Sequence, residues 1–443
     1  MFASRKPVFA DRLIVFLAAV AARAGILVWA KSAIPDLFRW SLDSWEYMGM
    51  MLAIRDWNWG FYMFTLRPPG YSLLLTGFNR LFHLRAPQML AFLPFQALLT
   101  SLSAVIAMHI IYRLTKSRSL SILGGLVLAL DPMMVGAEAP ILSEALFNPA
   151  LIVSQLFLLR WLSKRRWRDF VICLVALQLM VLTRATGMYY ITVILAVIIA
   201  YDRRLWRFAL LLLAGFSLPI LVWTARNIYY TGISTYSTAA SYNLLFYKAV
   251  STELLRSDKS AHELAWDYAN ELERRLGNPP PTVFPVGNYD YLYPQDADRY
   301  KMMTKMGFEK LREFHVLHLV KVPWTIYSHF SRNETLKSLI RPGIQIPLTL
   351  LSLSIFALGG VEWIREKRPL WQHIFILGTG AYFMLGTGFF MAGNTASRYM
   401  SALGVCWALL IALGLRRIIR WMVRFRIVYG RWSIQTGRDG TIN

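Results

Sequence analysis

The sequence predicts an all-α, polytopic membrane protein of about ten transmembrane helices, and three observations predict it. Of the 443 residues, 56% are hydrophobic and only 16% charged, with a mean hydropathy of +0.41. An ordinary soluble domain is less apolar and more highly charged. Apolar runs near 20 residues recur along most of the chain, the length a helix needs to cross hydrocarbon. When the ends of these runs are numbered alternately, the basic residues collect on one side.

The spans are read at 13–33, 88–112, 120–136, 143–162, 169–183, 186–201, 206–226, 344–363, 371–391 and 398–415. The basic side carries Arg5, Lys6 and Arg12, then Arg113, Lys116 and Arg118, then Lys164, Arg165, Arg166 and Arg168. It continues with Arg203, Arg204 and Arg207, with Arg365, Lys367 and Arg368, and with the tail from Arg416 onward. A wrong count would mix the two sides, so the pattern places both termini in the cytoplasm of a plasma (inner) membrane protein. The net charge of +23 is therefore a topology signal, and no nucleic-acid partner is expected. Membrane lipids are expected partners: the tail RRIIRWMVRFR suits an anionic lipid surface. The first apolar segment is long enough to stay as a helix, and no cleavage site follows it. Cys173 and Cys406 both lie in apolar runs and form neither a disulfide framework nor a metal spacing.

Four parts follow: an N-terminal transmembrane module at 1–226 with its first outer loop at 34–87, an extracytoplasmic, mainly helical segment at 227–342, C-terminal helices at 343–415 and a basic tail at 416–443. In the outer segment, helical spacing runs over 261–276 and 296–330, on either side of the break GNPPPTVFPVG.

The outer loop holds the chemistry. In DSWEYMGMMLAI, Asp43, Glu46 and Tyr47 stand at i, i+3 and i+4, one polar face of a short amphipathic helix at the membrane surface. A turn at Pro68-Pro69-Gly70 leads into a second surface helix, YSLLLTGFNRLF, too short and too polar to be a span. Acids in a loop need no function. However, Glu138, Glu144, Arg184, Arg226, Asn227, Lys248 and Arg398 arrive at the same face. Arg184 and Arg226 end apolar runs on the side where the positive-inside bias gives no reason for them. Ionisable groups there are costly and usually face a protected cavity, which suggests an anionic ligand at the outer surface.

These residues resemble the polytopic GT-C glycosyltransferases, in particular the glycosyltransferase family 39-like group related to protein O-mannosyltransferases and aminoarabinose transferases. The resemblance is carried by Asp43 and Tyr47 in DSWEYMGMMLA, Arg67-Pro68-Pro69-Gly70-Tyr71 in RPPGYSLLL, and Ser143-Glu144 with Leu146-Phe147 in LSEALF. It continues with Arg184 in LTRATG, Trp223, Arg226, Asn227 and Gly232 in WTARNIYYTG, Asn243 in SYNLL, and Arg398-Tyr399 in SRYM. It implies a GT-C-type bundle, and an inverting transfer of a sugar from a polyprenyl-phosphate donor to an acceptor hydroxyl on the extracytoplasmic face. The family's acid in the first outer loop acts as base, and Asp43 matches it, with Glu46 as the rival. Ser44 follows where the protein O-mannosyltransferases have a second acid, so a lipid or glycan acceptor is as open as a protein.

A phosphate monoester leaves readily at neutral pH, so one carboxylate suffices to take the proton of the attacking hydroxyl; an ordinary glycoside would need a second carboxyl group as acid. Arginine's planar fork binds phosphate and stays charged in a poorly solvated site. Arg226 and Arg398 are accordingly assigned to the phosphate, with Arg184 and Lys248 as helpers. Tyr47, Arg67, Tyr71, Glu144, Asn227, Asn243 and Tyr399 are assigned to substrate binding or orientation, with Pro68, Pro69 and Gly70 turning Arg67 and Tyr71 toward the cleft.

No metal or other cofactor is assigned. His315 and His318 stand at i, i+3, but only Glu313 joins them, which is a poor zinc set. The sequon NET at 333–335 matters only in a eukaryotic secretory compartment. Two other classes remain: an O-antigen ligase or polymerase-like enzyme with a lipid diphosphate donor, kept open by His315 and His329, and a transporter or flippase of lipid-linked sugars. A transporter commonly shows internal repeats and midplane binding groups, neither of which the sequence shows.

Overall fold

The computed structural model describes residues 6–33, 42–83, 90–138, 140–286, 291, 296–313, 342–390 and 401–436. Every regular element among them is helical. The first ten α-helices in chain order are α1 (Phe9–Ala33), α2 (Leu42–Arg55), α3 (Gly70–Phe82), α4 (Phe92–Thr115), α5 (Arg118–Leu130), α6 (Pro132–Glu138), α7 (Glu144–Lys164), α8 (Trp167–Thr183), α9 (Ile191–Tyr201) and α10 (Trp206–Thr231). Then come α11 (Ala239–Tyr242), α12 (Val250–Glu253), α13 (Ala261–Leu276), α14 (Ala297–Glu313), α15 (Pro342–Arg365), α16 (Leu370–His373), α17 (Thr379–Phe390) and α18 (Gly404–Thr436).

Among the described residues, six helical stretches are long and apolar enough to cross a membrane, in α1, α4, α7, α10, α15 and α18, and the chain is an integral multi-pass membrane protein. Shorter apolar helices occupy Arg118–Leu130, Ala185–Tyr201 and Leu370–Leu385, so six stretches reach crossing length against the ten expected. The most apolar windows of α7 and α18 are 78% and 72% buried, whereas those of α1 and α15 are each 17% buried. The first pair therefore forms the centre of the bundle, and the second pair presents most of its surface to lipid.

Two boundaries differ from the sequence expectation. The span read at 120–136 ends at Leu130, because Asp131 is extended and Pro132 starts a new short helix. Asp131 Oδ1 caps that helix by accepting the Met134 N–H at 3.0 Å. The last span does not stop at 415: α18 runs on to Thr436. Its basic stretch packs on the end of α15, with Arg416 on Glu366 at 2.9 Å and Arg417 on Glu362 at 3.3 Å. At this basic end Asp11 also meets Arg118 at 2.8 Å, and Arg368 donates to the Leu114 carbonyl at 2.7 Å.

Within α10, Pro219 cannot donate to the Gly215 carbonyl four residues earlier. Gln178 of α8 fills the gap, its amide N–H reaching Gly215 O at 2.7 Å.

The expected helix at 261–276 is α13, started by the Ser260–Glu263 capping box and closed by Gly277 at φ +74°. Together with α11, α14 and the turn Asn243–Ala249 it encloses a small core of its own, with Phe246, Leu264, Leu272, Met303 and Met306 buried. Of the expected helix at 296–330, α14 covers Ala297–Glu313; His315, His318, His329 and the sequon lie outside the described residues.

Gln178→Leu should lower stability by about 1–3 kcal/mol, the cost of a buried acceptor left without its donor. In a Pro219→Ala background the restored N–H can serve Gly215, and the same substitution should cost less. Thermal unfolding of the four proteins in detergent measures the difference.

Candidate active site

The two short helices expected on either side of the Pro68-Pro69-Gly70 turn form as α2 and α3, and α3 holds α2. Ser72 Oγ donates to Tyr47 O at 3.1 Å, and Thr76 Oγ1 donates to Met51 O at 3.3 Å. The N-terminus of α3 meets the last turn of α8: a Cβ on Gly70 would stand 2.7 Å from the Leu182 carbonyl oxygen. Only glycine allows that contact, so the turn at Pro68-Pro69-Gly70 sets Arg67 close to the chain segment that ends in Arg184.

Arg67 gathers the acids of α2. Its Nη2 donates to Asp43 Oδ1 at 2.6 Å, its Nε donates to Glu46 Oε2, and its Nη1 donates to the Tyr47 hydroxyl at 3.3 Å. The two carboxylates differ in access: the Asp43 side chain is 18% exposed and that of Glu46 only 2%. A second pair lies beside the first, where Arg184 meets Glu144 and also donates to Ser143 Oγ at 3.1 Å. Tyr47 feels both pairs. Burial pushes its phenol up, opposed by Arg67 and Arg184 and assisted by Glu144 and Asp43, so it stays a neutral hydroxyl.

Other assigned residues have other partners. Tyr71 does not face a cleft: it is fully buried, edge-on to Tyr47 at 5.0 Å, and donates to Gln96 Oε1 at 2.7 Å. The cause is the α2–α3 packing, which turns it inward. Burial holds its phenol well above the usual range. Arg226 donates to the carbonyls of Trp59, at 2.9 Å from Nε and also from Nη2, and of Phe61 at 3.1 Å. It also donates to Asn227 Oδ1 at 2.8 Å. The Asn227 amide in turn donates to Thr235 O at 2.8 Å and Tyr236 O at 3.3 Å. The chain then returns to the loop: Ser237 Oγ donates to Leu66 O at 2.5 Å and Thr238 N to Thr65 O at 2.9 Å. Arg226 and Asn227 thus hold, from behind, the backbone that presents Arg67. Lys248 is fully buried and Asn243 half-buried in the turn Asn243–Ala249, which packs on α14. Arg398 and Tyr399 lie outside the described residues.

Sequence reading missed a polar network beneath this site. Arg23 of α1, 3% exposed, pairs with Glu138 at 2.7 Å and donates to Thr100 Oγ1 at 2.7 Å. Glu138 also accepts from Asn148 at 3.2 Å, and Asn148 donates to Ser401 Oγ at 3.0 Å. The signal was present: a lone arginine inside an apolar run requires a buried partner.

The site thus consists of two adjacent acid–arginine clusters at one end of a membrane helix bundle. A family model described as dolichyl-phosphate-mannose-protein mannosyltransferase matches residues 66–248, which include Arg67, Glu144, Arg184 and Arg226. Similar solved structures include the archaeal oligosaccharyltransferase AglB from Archaeoglobus fulgidus in complex with an inhibitory peptide and a dolichol-phosphate. It is 16% identical with a TM-score of 0.47, over 95% of this chain and 51% of that one. The Archaeoglobus fulgidus oligosaccharyltransferase tethered with an acceptor peptide is 13% identical with a TM-score of 0.48, over 94% and 50%. The chain therefore spans about half the length of these structures. No curated protein matches it.

Gly70→Ala should cost about 1–3 kcal/mol, as overpacking against backbone does. Gly77→Ala, on the same helix with nothing within 4 Å of the new methyl, should be neutral or stabilising. Thermal midpoints of the pair check both signs.

Proposed function

We propose that the protein is an inverting glycosyltransferase that moves a sugar from a polyprenyl-phosphate donor to an acceptor hydroxyl on the extracytoplasmic face, with both termini cytoplasmic. The observation that carries this reading is the unequal pair on Arg67. Asp43 is open enough to receive a proton from an incoming hydroxyl, while Glu46 is closed in against the guanidinium. Asp43 is the general base and Glu46 holds Arg67. Two other findings support the reading: the family match over 66–248, and the ordered motifs from Asp43 to Arg398.

A base tied to a cation is a weak base. The donor phosphate relieves this by competing for Arg67, which leaves Asp43 free while the negative charge on the departing phosphate grows. Arg184, held by Glu144 and Ser143, is the second cation for that charge. Arg398 remains assigned to the phosphate from its motif alone, and Arg226 acts through the backbone it supports. Tyr47, Glu144 and Asn243 bind or orient substrate hydroxyls, whereas Lys248, fully buried in the segment that packs on α14, supports the fold of that segment.

The lipid tail has a place to lie. Gln178, Leu182, Leu218, Pro219, Val222 and Trp223 line an apolar groove of about 350 Å³ between α8 and α10. Its lining residues Leu182 and Trp223 stand two and three residues before Arg184 and Arg226 in the chain. Trp223 is 6% exposed, and its indole N–H makes no hydrogen bond among the described residues.

Asp43→Asn should reduce transfer about 10²–10⁴-fold, the usual contribution of a general base, with donor affinity within a fewfold of wild type. Glu46→Gln should mainly disturb donor binding. Wild-type turnover by Asp43→Asn beside a dead Glu46→Gln would exchange the roles. Mass spectrometry of copurified lipid tests the donor class directly: a polyprenyl phosphate should be found, and Arg184→Gln should retain less of it.

A further inference from the structure

We propose that Gln96 is a positioning residue that fixes the Asp43–Arg67 pair relative to the Glu144–Arg184 pair. The inference rests on the reading that these clusters form the working site. Gln96 lies in the second turn of α4, an otherwise apolar helix end, and is 1% exposed. A buried amide is costly unless its hydrogen-bonding capacity is used, and here it is used in three directions. The NH2 group donates to Glu138 O at 2.5 Å and to Pro140 O at 2.7 Å, while Oε1 accepts the Tyr71 hydroxyl at 2.7 Å. Chemistry fixes this orientation, because two carbonyl oxygens cannot donate to an oxygen.

The two carbonyls belong to the strap that joins α6 to α7. One residue beyond Pro140, Ile141 O accepts from Ser44 Oγ at 3.0 Å, beside Asp43. Two residues further, Ser143 accepts from Arg184 and donates to Glu144 Oε2 at 3.3 Å. On the other side of Gln96, Tyr71 packs against Tyr47, whose hydroxyl accepts from Arg67. One glutamine therefore touches the strap that carries Glu144 and, through Tyr71, the helix pair that carries Asp43 and Arg67. It contacts no group expected to meet substrate, and its effect is on distance and angle.

The test uses the full-length protein with Gln96→Met, Gln96→Glu and Tyr71→Phe. Hydrogen exchange is measured on peptides covering 43–52 and 140–147. Turnover of a polyprenyl-phosphate-linked hexose is measured alongside. Gln96→Met should speed exchange in both segments about tenfold or more relative to α8 and α10. It should lower kcat about 10²-fold, as a misplacement of about 1 Å does, with KM for the donor within about threefold. Gln96→Glu should recover activity as the pH falls, since a protonated carboxyl restores one donor to the strap carbonyls and a carboxylate repels both. Tyr71→Phe, the mildest change, should loosen 43–52 but not 140–147, and it keeps the test valid if Gln96→Met fails to fold. Unchanged exchange overturns the clamp. Faster exchange with wild-type kcat overturns the positioning role. If the wild type turns over no such donor, the functional reading fails while exchange still decides the clamp.

Discussion

A charged side chain buried beside a bilayer is costly unless its charge and its hydrogen-bonding groups are met, and Arg67 meets two carboxylates at once. Much of this end of the bundle follows from that demand. To bring a guanidinium from the start of α3 onto α2, the chain must turn sharply after Leu66 and press α3 against α8, which is why a glycine stands at 70 and two prolines precede it. To keep two acids three residues apart on one cation, α2 must be a regular helix. With the acids paired in this way, the surface helices rest on the bundle without a charge stranded in a medium that cannot solvate it.

The bundle supplies the rigidity the cluster needs. Two interruptions of the helices are each answered by a side chain. Asp131 caps the helix that Pro132 restarts, and Gln178 serves the carbonyl that Pro219 leaves without a donor. Arg23 and Glu138 meet inside the bundle, with Thr100 and Asn148 completing their hydrogen bonds. In hydrocarbon there is no water to make good an omission, so such breaks are affordable only where a partner is built in.

Periodicity and charge made the architecture legible. Apolar run length located the helices, and the alternation of basic ends grouped Arg118, Arg368 and Arg416, which the structure does collect at one end with Asp11 and Glu366. The i, i+3, i+4 spacing of Asp43, Glu46 and Tyr47 was enough to place them on one face of a surface helix. What the sequence could not carry were contacts between distant residues. Nothing in RPPGY tells that Tyr71 turns inward while Arg67 turns to α2, because that depends on which face of α3 meets α4 and α8. Gln96 escaped for the same reason: an amide in an apolar helix signals a buried partner, but its partners are backbone carbonyls that no residue type announces.

Arg226 and Asn227 show how a motif can be informative about a fold while saying little about a ligand. Arginine near the end of an apolar run, away from the basic ends of the other runs, is good reason to expect an anionic ligand. The same guanidinium is equally suited to collecting carbonyl oxygens, since its donors fan out in a plane and a loop offers acceptors in a matching arc. Trp59 and Phe61 take that role, Asn227 fixes the turn at Thr235 and Tyr236, and the residues that follow grip Thr65 and Leu66. The consequence reaches Arg67 by the next peptide bond. A residue can therefore stand in a sequence motif because it fixes the backbone that carries a neighbouring charged side chain. The difference lies in the kind of partner: neutral carbonyl and amide oxygens surround Arg226, whereas carboxylates face Arg67.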